Sequence, residues 1–566
     1  MARLPHTDVH GLIASADRFA RAHPALAGAL GTLSTDAPLE RVREGLFYLG
    51  AVAIDQIREL ESDGQRALAD VVAPDLQRPF PAATIVELTS ERSVRRVPVG
   101  AEIRTKGPAP CRFRTISETR VGPWRVEGAR IERQGRGADA LRFDLAATGD
   151  LTLADCVGGR VRFFVDGARD SALLLLAHVL AHTARAELSV EGGGPAIELR
   201  VHPYGTRPEQ ALAPEPDGPY TGMSLLREYF LCVEKFCFFE LSGLTPALRG
   251  LPARRATVKL AFDAPLPPQA AVAPTGIQAH CVPAVNLFPS TAEPWVFEPG
   301  RPSAPVRVAG ATRAESGVYA VLGASAVARD DASAVAKTLA PVRRFGAGSI
   351  ERSFPYAFST RVEAGPDGAE PRVVVGLTSP RGRAPNLEPH VVSLELLATN
   401  QRRASAVRAG ELSEAGPGMP PGVRVRNIVA GSVYVRAPVG AELALQVAVR
   451  AAVPDGDALH ALQSRLFALV PRQGDPAMAR AHAARVAAIQ RIDIETATDP
   501  VRACRGYDVR LAIDETPFLG LGDVALFVRL LHAAFESQAS AGRFYRCDAT
   551  CVKSGVRIAW PPAETA

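Results

Sequence analysis

Apolar residues recur at three- and four-residue spacing near the start of the chain and gather in short β-branched runs separated by Gly or Pro through its middle. From Asp36, "DAPLERVREGLFYLGAVAIDQIRELE" sets Leu39, Val42, Leu46, Leu49, Val52 and Ile57 on one stripe behind an acidic cap position, with Pro38 near the first turn and Glu40 close behind. The spacing predicts an amphipathic helix of several turns. "PDLQRPFPAA", Pro74 to Ala83, cannot continue a helix and marks the first boundary. Beyond it, "ATIVEL", "RTISETRV", "ARIERQ" and "RVRFFVD" are short, β-branched and bounded by Gly or Pro, as strands are. A helix is expected through "SALLLLAHVLAHTARAEL" after the Asp166-Gly167 turn, with strands at "AELSV" and "AIELRV". The stretch "LLREYFLCVEKFCFFEL", Leu225 to Leu241, is the densest in aromatic residues. Leu225, Leu226, Tyr229 and Phe230 suit a helix face and "KFCFFEL" suits a buried strand, so a helix running into a strand near Glu234 is expected, with Cys232 and Cys237 as packing residues.

Residues 255 to 450 read almost entirely as strand and turn, with "PRVVVGLTS", "HVVSLELLAT" and "GSVYVRAPVG" as representative pieces. The last hundred residues return to mixed character: a helix over 455–470, strands near 490 and 510, a helix over 522–537 and a final strand through "CVKSGVRIAW". No repeat of fixed period and no low-complexity segment appears. The pattern predicts a β-rich α+β multidomain protein. Its expected parts are an N-terminal helical region over 1–75, a β-rich domain with inserted helices over 76–250, a mainly β domain over 251–450 and an α+β domain over 451–566. The 48 Gly and 46 Pro agree with many short strands and turns.

Charge and composition narrow the function class. With 65 basic against 60 acidic residues the net charge is +5, and the arginine clusters are short, such as Arg95-Arg96 and Arg402-Arg403, so no nucleic-acid partner is expected. The opening "MARLPHTDVHGLIASADRF" lacks the apolar core of a secretory signal. No run approaches the roughly 18 apolar residues of a membrane span, so direct membrane insertion is not expected. Eight scattered cysteines read as reduced thiols in a cytosol.

Candidate chemistry is sparse. His178 and His182 stand at i and i+4, as two ligands of a helical zinc site would, and a metal hydrolase using them is the remote enzymatic alternative. Val179 occupies the place of a metalloprotease's general-base Glu, however, and "LLLLAHVLAH" has the character of a core helix. Cys232 with Cys237 and Cys547 with Cys551 are not C-x-x-C pairs. "FLGLGDVALF" carries a G-x-G before a helix but no βαβ context for a dinucleotide, so Gly522 and Asp523 are read as helix caps. Asp330-Asp331 and Asp514-Glu515 lie in polar turns. No active site and no cofactor is expected.

Several blocks, in order along almost the whole chain, resemble the TssF (VasA/ImpG) family of type VI secretion baseplate subunits. They are "ERVREGLFYLGAVAIDQI" with Glu44 and Gly45, "RVRFFVDG", "SLLREYFLCVEKFCFFELSGL" with Glu228, Tyr229, Phe230, Glu234, Lys235 and Phe236, "CVPAVNLFPSTAEP" with Asn286, Leu287, Phe288 and Pro289, "LELLATNQR", and "IDETPFLGLGDVALFVRLLHAAF" followed by "RIAWPP". The chain departs from the family in having "DVHGLIASADRF" where Y-Y-x-x-E-L is usual and in its "VVAPDLQRP" boundary. The resemblance implies a fold like that of phage-baseplate wedges and a structural rather than catalytic function. It implies assembly with TssG, a second TssF copy, TssE and TssK around the VgrG spike hub, supporting sheath and Hcp tube, in a cytoplasmic body docked at the inner-membrane complex. The signature residues are expected to be structural. A baseplate protein of a related contractile injection system or phage-like tail is the alternative.

Overall fold

A computed structural model of the chain describes residues 73–560 apart from 134–138, 149, 192–195, 214–221, 249–251, 298–302, 330–334, 343–356, 366–368, 379–389, 452–456, 472, 474, 500–503 and 538–542, together with helical positions 18, 21, 45–51, 53–54, 64–69 and 71–72. The fold is β-rich, with most strands antiparallel. A six-stranded sheet runs in the order Leu412–Ala415, Glu102–Thr105, Arg112–Thr115, Cys281–Val285, Ala83–Ser90 and Val423–Asn427. Its strands therefore come from both sides of residue 250. A second, eight-stranded sheet is ordered Ile277–Ala279, Arg160–Val165, Phe238–Ser242, Ile197–Pro203, Thr183–Val190, Arg255–Phe262, Ala140–Ala147 and Trp124–Glu132. The third sheet is built around the long strands His390–Thr399 and Gly317–Ala328, which pair antiparallel with two register shifts. The fourth is ordered Ile489–Asp499, Cys504–Ile513, Arg543–Cys551 and Arg557–Ala559, its two middle strands parallel.

Among the described residues, six longer helices fit between these sheets: α1 (Arg169–His182), α2 (Gly222–Leu231), α3 (Ala441–Ala451), α4 (Ala458–Leu469), α5 (Pro476–Ala487) and α6 (Leu521–Ser537). A parallel pair needs a crossover, and α6 supplies it between Cys504–Ile513 and Arg543–Cys551. Twelve of the residues of α6 are buried, Val524, Phe527, Leu530 and Leu531 among them, because it is covered by its own sheet on one side and by α1 and α2 on others. Both helix crossings depend on glycine. A Cβ on Gly522 would stand 2.2 Å from the Leu174 backbone nitrogen, and one on Gly222 would stand 2.0 Å from the Ala534 Cα.

The structure also departs from the sequence pattern at particular points. Leu46 and Leu49, expected on the covered stripe, are 64% and 63% exposed, while Ala51 is buried. Helix α1 stops at His182 because the Thr183 hydroxyl donates to the Val179 carbonyl and residues 183–190 enter the ladder with Arg255–Phe262. "RTISETRV" divides: Arg112–Thr115 joins the first sheet, and Thr119–Val121 turns away to pair with Arg95–Val97. "KFCFFEL" becomes strand only at Phe238, since Val233–Phe236 forms a 3-10 turn. "GSVYVRAPVG" is no regular strand. The Tyr434 and Arg436 backbone N–H groups donate to the Ser405 hydroxyl and the Gln473 side chain, and one isolated bridge joins Val435 to Phe80. The expected final strand shortens to Arg557–Ala559 after a turn.

The two kinds of glycine make opposite predictions. Gly522→Ala forces backbone apart at the α1–α6 crossing and should lower stability by about 1–3 kcal/mol. Gly45 is helical, and no atom lies within 4 Å of where its Cβ would stand, so it should accept alanine with a gain of up to about 1 kcal/mol. Chemical-denaturant unfolding of both variants measures the contrast, and a harmless Gly522→Ala would refute the close crossing.

Candidate functional site

The signature stretch is buried between two hydrophobic cores. Its strand, Phe238–Ser242, alternates side chains across the second sheet, so Phe238 and Phe239 point to opposite faces. Phe238 packs at 4.9 Å between ring centroids from Phe164, in the core that continues through α2, α4, α6 and the fourth sheet. Phe239 stacks at 5.5 Å on Phe163, in a separate core between the second sheet and α1. One strand is thus shared by two hydrophobic cores.

Upstream of it, Glu228 on α2 and Lys235 in the 3-10 turn form an ion pair with exposures of 1% and 0%. The second Glu228 oxygen accepts from the Leu212 backbone N–H at 2.8 Å. Burial pulls the Lys235 ammonium below its ordinary range, against the opposing pull of Glu228. Glu234, at the edge of the same turn, pairs with Arg169 at the start of α1. Phe236 is fully buried beside the Lys235 ammonium.

Tyr229 carries a second network. Its hydroxyl donates to an Asp523 carboxylate oxygen at 2.7 Å and accepts from Arg485 at 3.3 Å; Arg485 also reaches the other Asp523 oxygen at 3.1 Å. Burial, reinforced by Asp523, pushes the Tyr229 phenol well above its usual range. Gly522 and Asp523, expected as caps, lie inside the first turn of α6; Asp523 accepts from the Leu519 N–H ahead of the helix and serves mainly as the carboxylate of this buried triad. The apolar pattern does not point to Arg485, because it does not predict α5. The signal that finds this helix is Asp475-Pro476: Asp475 accepts from the Ala477 N–H and Pro476 occupies the first helical turn.

The "VNLF" and "LLATN" blocks meet at a third network. The Asn286 side-chain amide donates to the Arg112 carbonyl at 2.7 Å and to the Asn400 side-chain oxygen at 2.9 Å. Its own oxygen accepts from the Thr399 hydroxyl and the Asn400 N–H, both at 2.7 Å. Leu287 and Phe288 are buried beside it, with the Arg112 guanidinium over the Phe288 ring, whereas Pro289 is exposed. Near the N-terminal helical pieces, Asp75 binds Arg450 of α3 and Arg227 of α2. Burial would raise its carboxyl, but the two arginines outweigh that and hold it below the ordinary range. Of the remaining signature positions, Gly45 is exposed on a helix and Glu44 lies outside the described residues.

The candidate metal pair is otherwise engaged. His178 bonds the Ala264 carbonyl at 3.1 Å and packs edge-on against Phe262, while His182 bonds Asp263 at 3.0 Å. Burial, chiefly, lowers the His178 pKa. Among the described residues no group of three or more His, Cys, Asp or Glu side chains converges as metal ligands, and no helix is long and apolar enough to cross a membrane. What the arrangement does chemically is fix the relative positions of sheets and helices.

Two measurements probe these contacts. Glu228→Gln or Lys235→Met alone leaves a buried charge without its partner and should cost about 3–5 kcal/mol, whereas the double variant should recover most of that loss. Denaturant titration of the four-member cycle reads the coupling, and additive losses would show the pair to be incidental. His482, buried against Phe230, and His280, buried against Trp124, are each lowered to about 4 by burial. An unfolded histidine titrates near 6.5, so unfolding takes up protons between these values and stability falls as pH drops from about 6.5 to about 4. His482→Leu should reduce that slope by at most about 1.4 kcal/mol per pH unit, and an unchanged slope in pH-resolved unfolding would reject the assignment.

The model of the family described as "Type VI secretion system, TssF" matches residues 8–565. Type VI secretion system component TssF1 of Pseudomonas aeruginosa is 26% identical over 311 residues, 49% of this chain. The matched part spans 49% of that relative, so the chain spans about half the length of the curated relative it matches. In fold, the chain is similar to one in the cryo-electron microscopy structure of the type VI secretion system TssK-TssF-TssG baseplate subcomplex, with a TM-score of 0.78 and 21% identity, over 93% of this chain and 99% of that one. A chain of the baseplate complex from the type VI secretion system gives a TM-score of 0.54 at 20% identity, over 98% of each. With a family match that runs through all the networks just described, the chain belongs to the TssF family of the type VI secretion system.

Proposed function

We propose that the chain is a wedge subunit of a type VI secretion baseplate, with a scaffolding rather than catalytic role. The observation that carries this reading is the fold likeness over 93% of the chain to a component of the TssK-TssF-TssG subcomplex, taken with the family match. On this reading two copies of the chain join one TssG, the wedge also takes TssE, and TssK links it to the membrane complex. Wedges then surround the VgrG hub, and sheath and Hcp tube are built on them. The protein works in the cytoplasm, docked at the inner-membrane secretion complex. The larger sheets and the polar joints between them suit a part that must keep its own shape while its neighbours move. Of the expected stretches, 1–75 and 451–566 are retained as proposed parts, whereas 76–250 and 251–450 are joined through the first two sheets, which draw strands from both sides of residue 250; Glu228, Tyr229, Glu234, Lys235, Phe236 and Asn286 are read as structural rather than contact residues.

Co-expression with TssG and TssK from the same gene cluster tests the reading. A complex that co-elutes on size exclusion with two copies of this chain per TssG is the expected result, and loss of fluorescent sheath assembly on deletion should be rescued by the intact gene. A chain that elutes apart from both partners would overturn it.

A further inference from the structure

An apolar groove opens where α2, α4, α6 and the middle of the Ile489–Asp499 strand meet. Leu226, Leu462, Ile492, Leu531 and Phe535 are among the residues that line it, and the space measures about 250 Å³. A void of about 150 Å³ with comparable lining accommodates benzene, so this one has room for a large aliphatic or aromatic side chain. Ile494, at the same site, is 50% exposed. The single charged residue in the lining is Arg465, which has no carboxylate partner and no hydrogen bond among the described residues.

The strand that supplies Ile492 and Ile494 is also the edge of its sheet, pairing only with Cys504–Ile513 among the described residues. Edges are usually blunted by proline, by a bulge or by inward charge. Here the one irregularity lies at Ile489/Arg491, at the start of the strand, and the outer half "IETAT" is largely exposed, β-branched and free of proline. A segment added along such an edge sets every second side chain on the face that carries Ile492 and Ile494, which is the groove.

We propose that this groove and strand edge receive an extended segment of a partner chain, added as a further strand, with a branched or aromatic side chain seated in the groove and a carboxylate paired with Arg465. The apolar lining selects the anchor, and the lone guanidinium selects the sign of the charge beside it. This inference is independent of the assembly reading above, because it rests on a surface of the isolated chain.

The test uses the full chain and two fluorescein-labelled nonapeptides of Ser and Thr, each carrying two alternating Leu, one flanked by Glu and the other by Lys. Fluorescence anisotropy should show saturable binding of the acidic peptide, at least tenfold tighter than the basic one. Arg465→Glu should reverse that preference, and Ile494→Asp, a change at a half-exposed position, should weaken the acidic peptide at least tenfold with an unchanged melting midpoint. Binding of neither peptide, equal binding of both, or a preference unmoved by Arg465→Glu would overturn the proposal. So would sedimentation showing a dimer that Ile494→Asp dissociates while the unaltered chain excludes both peptides, since a second copy would then be the occupant.

Discussion

The Phe238–Ser242 strand is buried on both faces, and this constrains everything packed around it. An antiparallel strand usually has a wet side that tolerates change. Here Phe238 completes one core and Phe239 another, so a shift of register by one residue would move each ring to the other's face of the sheet. Full burial of a phenylalanine stabilises by about 1.5–3 kcal/mol. Phe230, Phe236, Phe238 and Phe239 together therefore outweigh the several kcal/mol by which a buried ion pair such as Glu228–Lys235 is disfavoured by desolvation. The aromatic residues supply the stability; the ion pair sits inside it and fixes how α2 turns into the strand.

From this strand the constraint passes to α6. Tyr229 lies one residue from Glu228 and reaches across to Asp523, so the residues that set the α2 turn also anchor the first turn of the crossover helix. At the other end of α2, Gly222 allows the α6 backbone to approach. The fourth sheet is therefore positioned by α6, α6 by α1 and α2, and those two helices by the second sheet, whose strands flank them in sequence.

Much of this is legible in the sequence where one local pattern decides the outcome. The β-branched runs "ATIVEL" and "HVVSLELLAT" mark strands at those positions, and the long apolar run from Val524 to Ala534 marks a buried helix, because composition and length decide each of them locally. The TssF resemblance, carried by blocks whose order matches, holds over nearly the whole chain. Three kinds of feature are not legible. The pairing of Ala83–Ser90 with Val423–Asn427 joins segments more than 300 residues apart, and no local pattern encodes it. Helix α5 is rich in Ala and Arg with a weak apolar stripe, so its evidence lies in the Asp475-Pro476 cap instead. Asp523 looks like a cap because its neighbourhood in sequence is a helix start; its partners Tyr229 and Arg485 come from elsewhere in the chain.

The polar networks occupy joints between elements rather than the middle of any one of them, and their cost explains their position. Asn286 and Asn400 join the strand Arg112–Thr115 of the first sheet to the end of His390–Thr399 in the third. Each buried polar group left without a partner there would cost about 1–3 kcal/mol. A purely apolar joint would lose less on a small slip, since apolar contacts are non-directional and can re-form in a neighbouring arrangement. With the amide of Asn286 donating to two acceptors and its oxygen accepting from two donors, a slip breaks several bonds at once and offers no substitutes. Apolar burial thus makes each core stable, and directional hydrogen bonding makes the angle between cores unique, which is the property a chain of linked β sheets needs if it is to hold a fixed geometry.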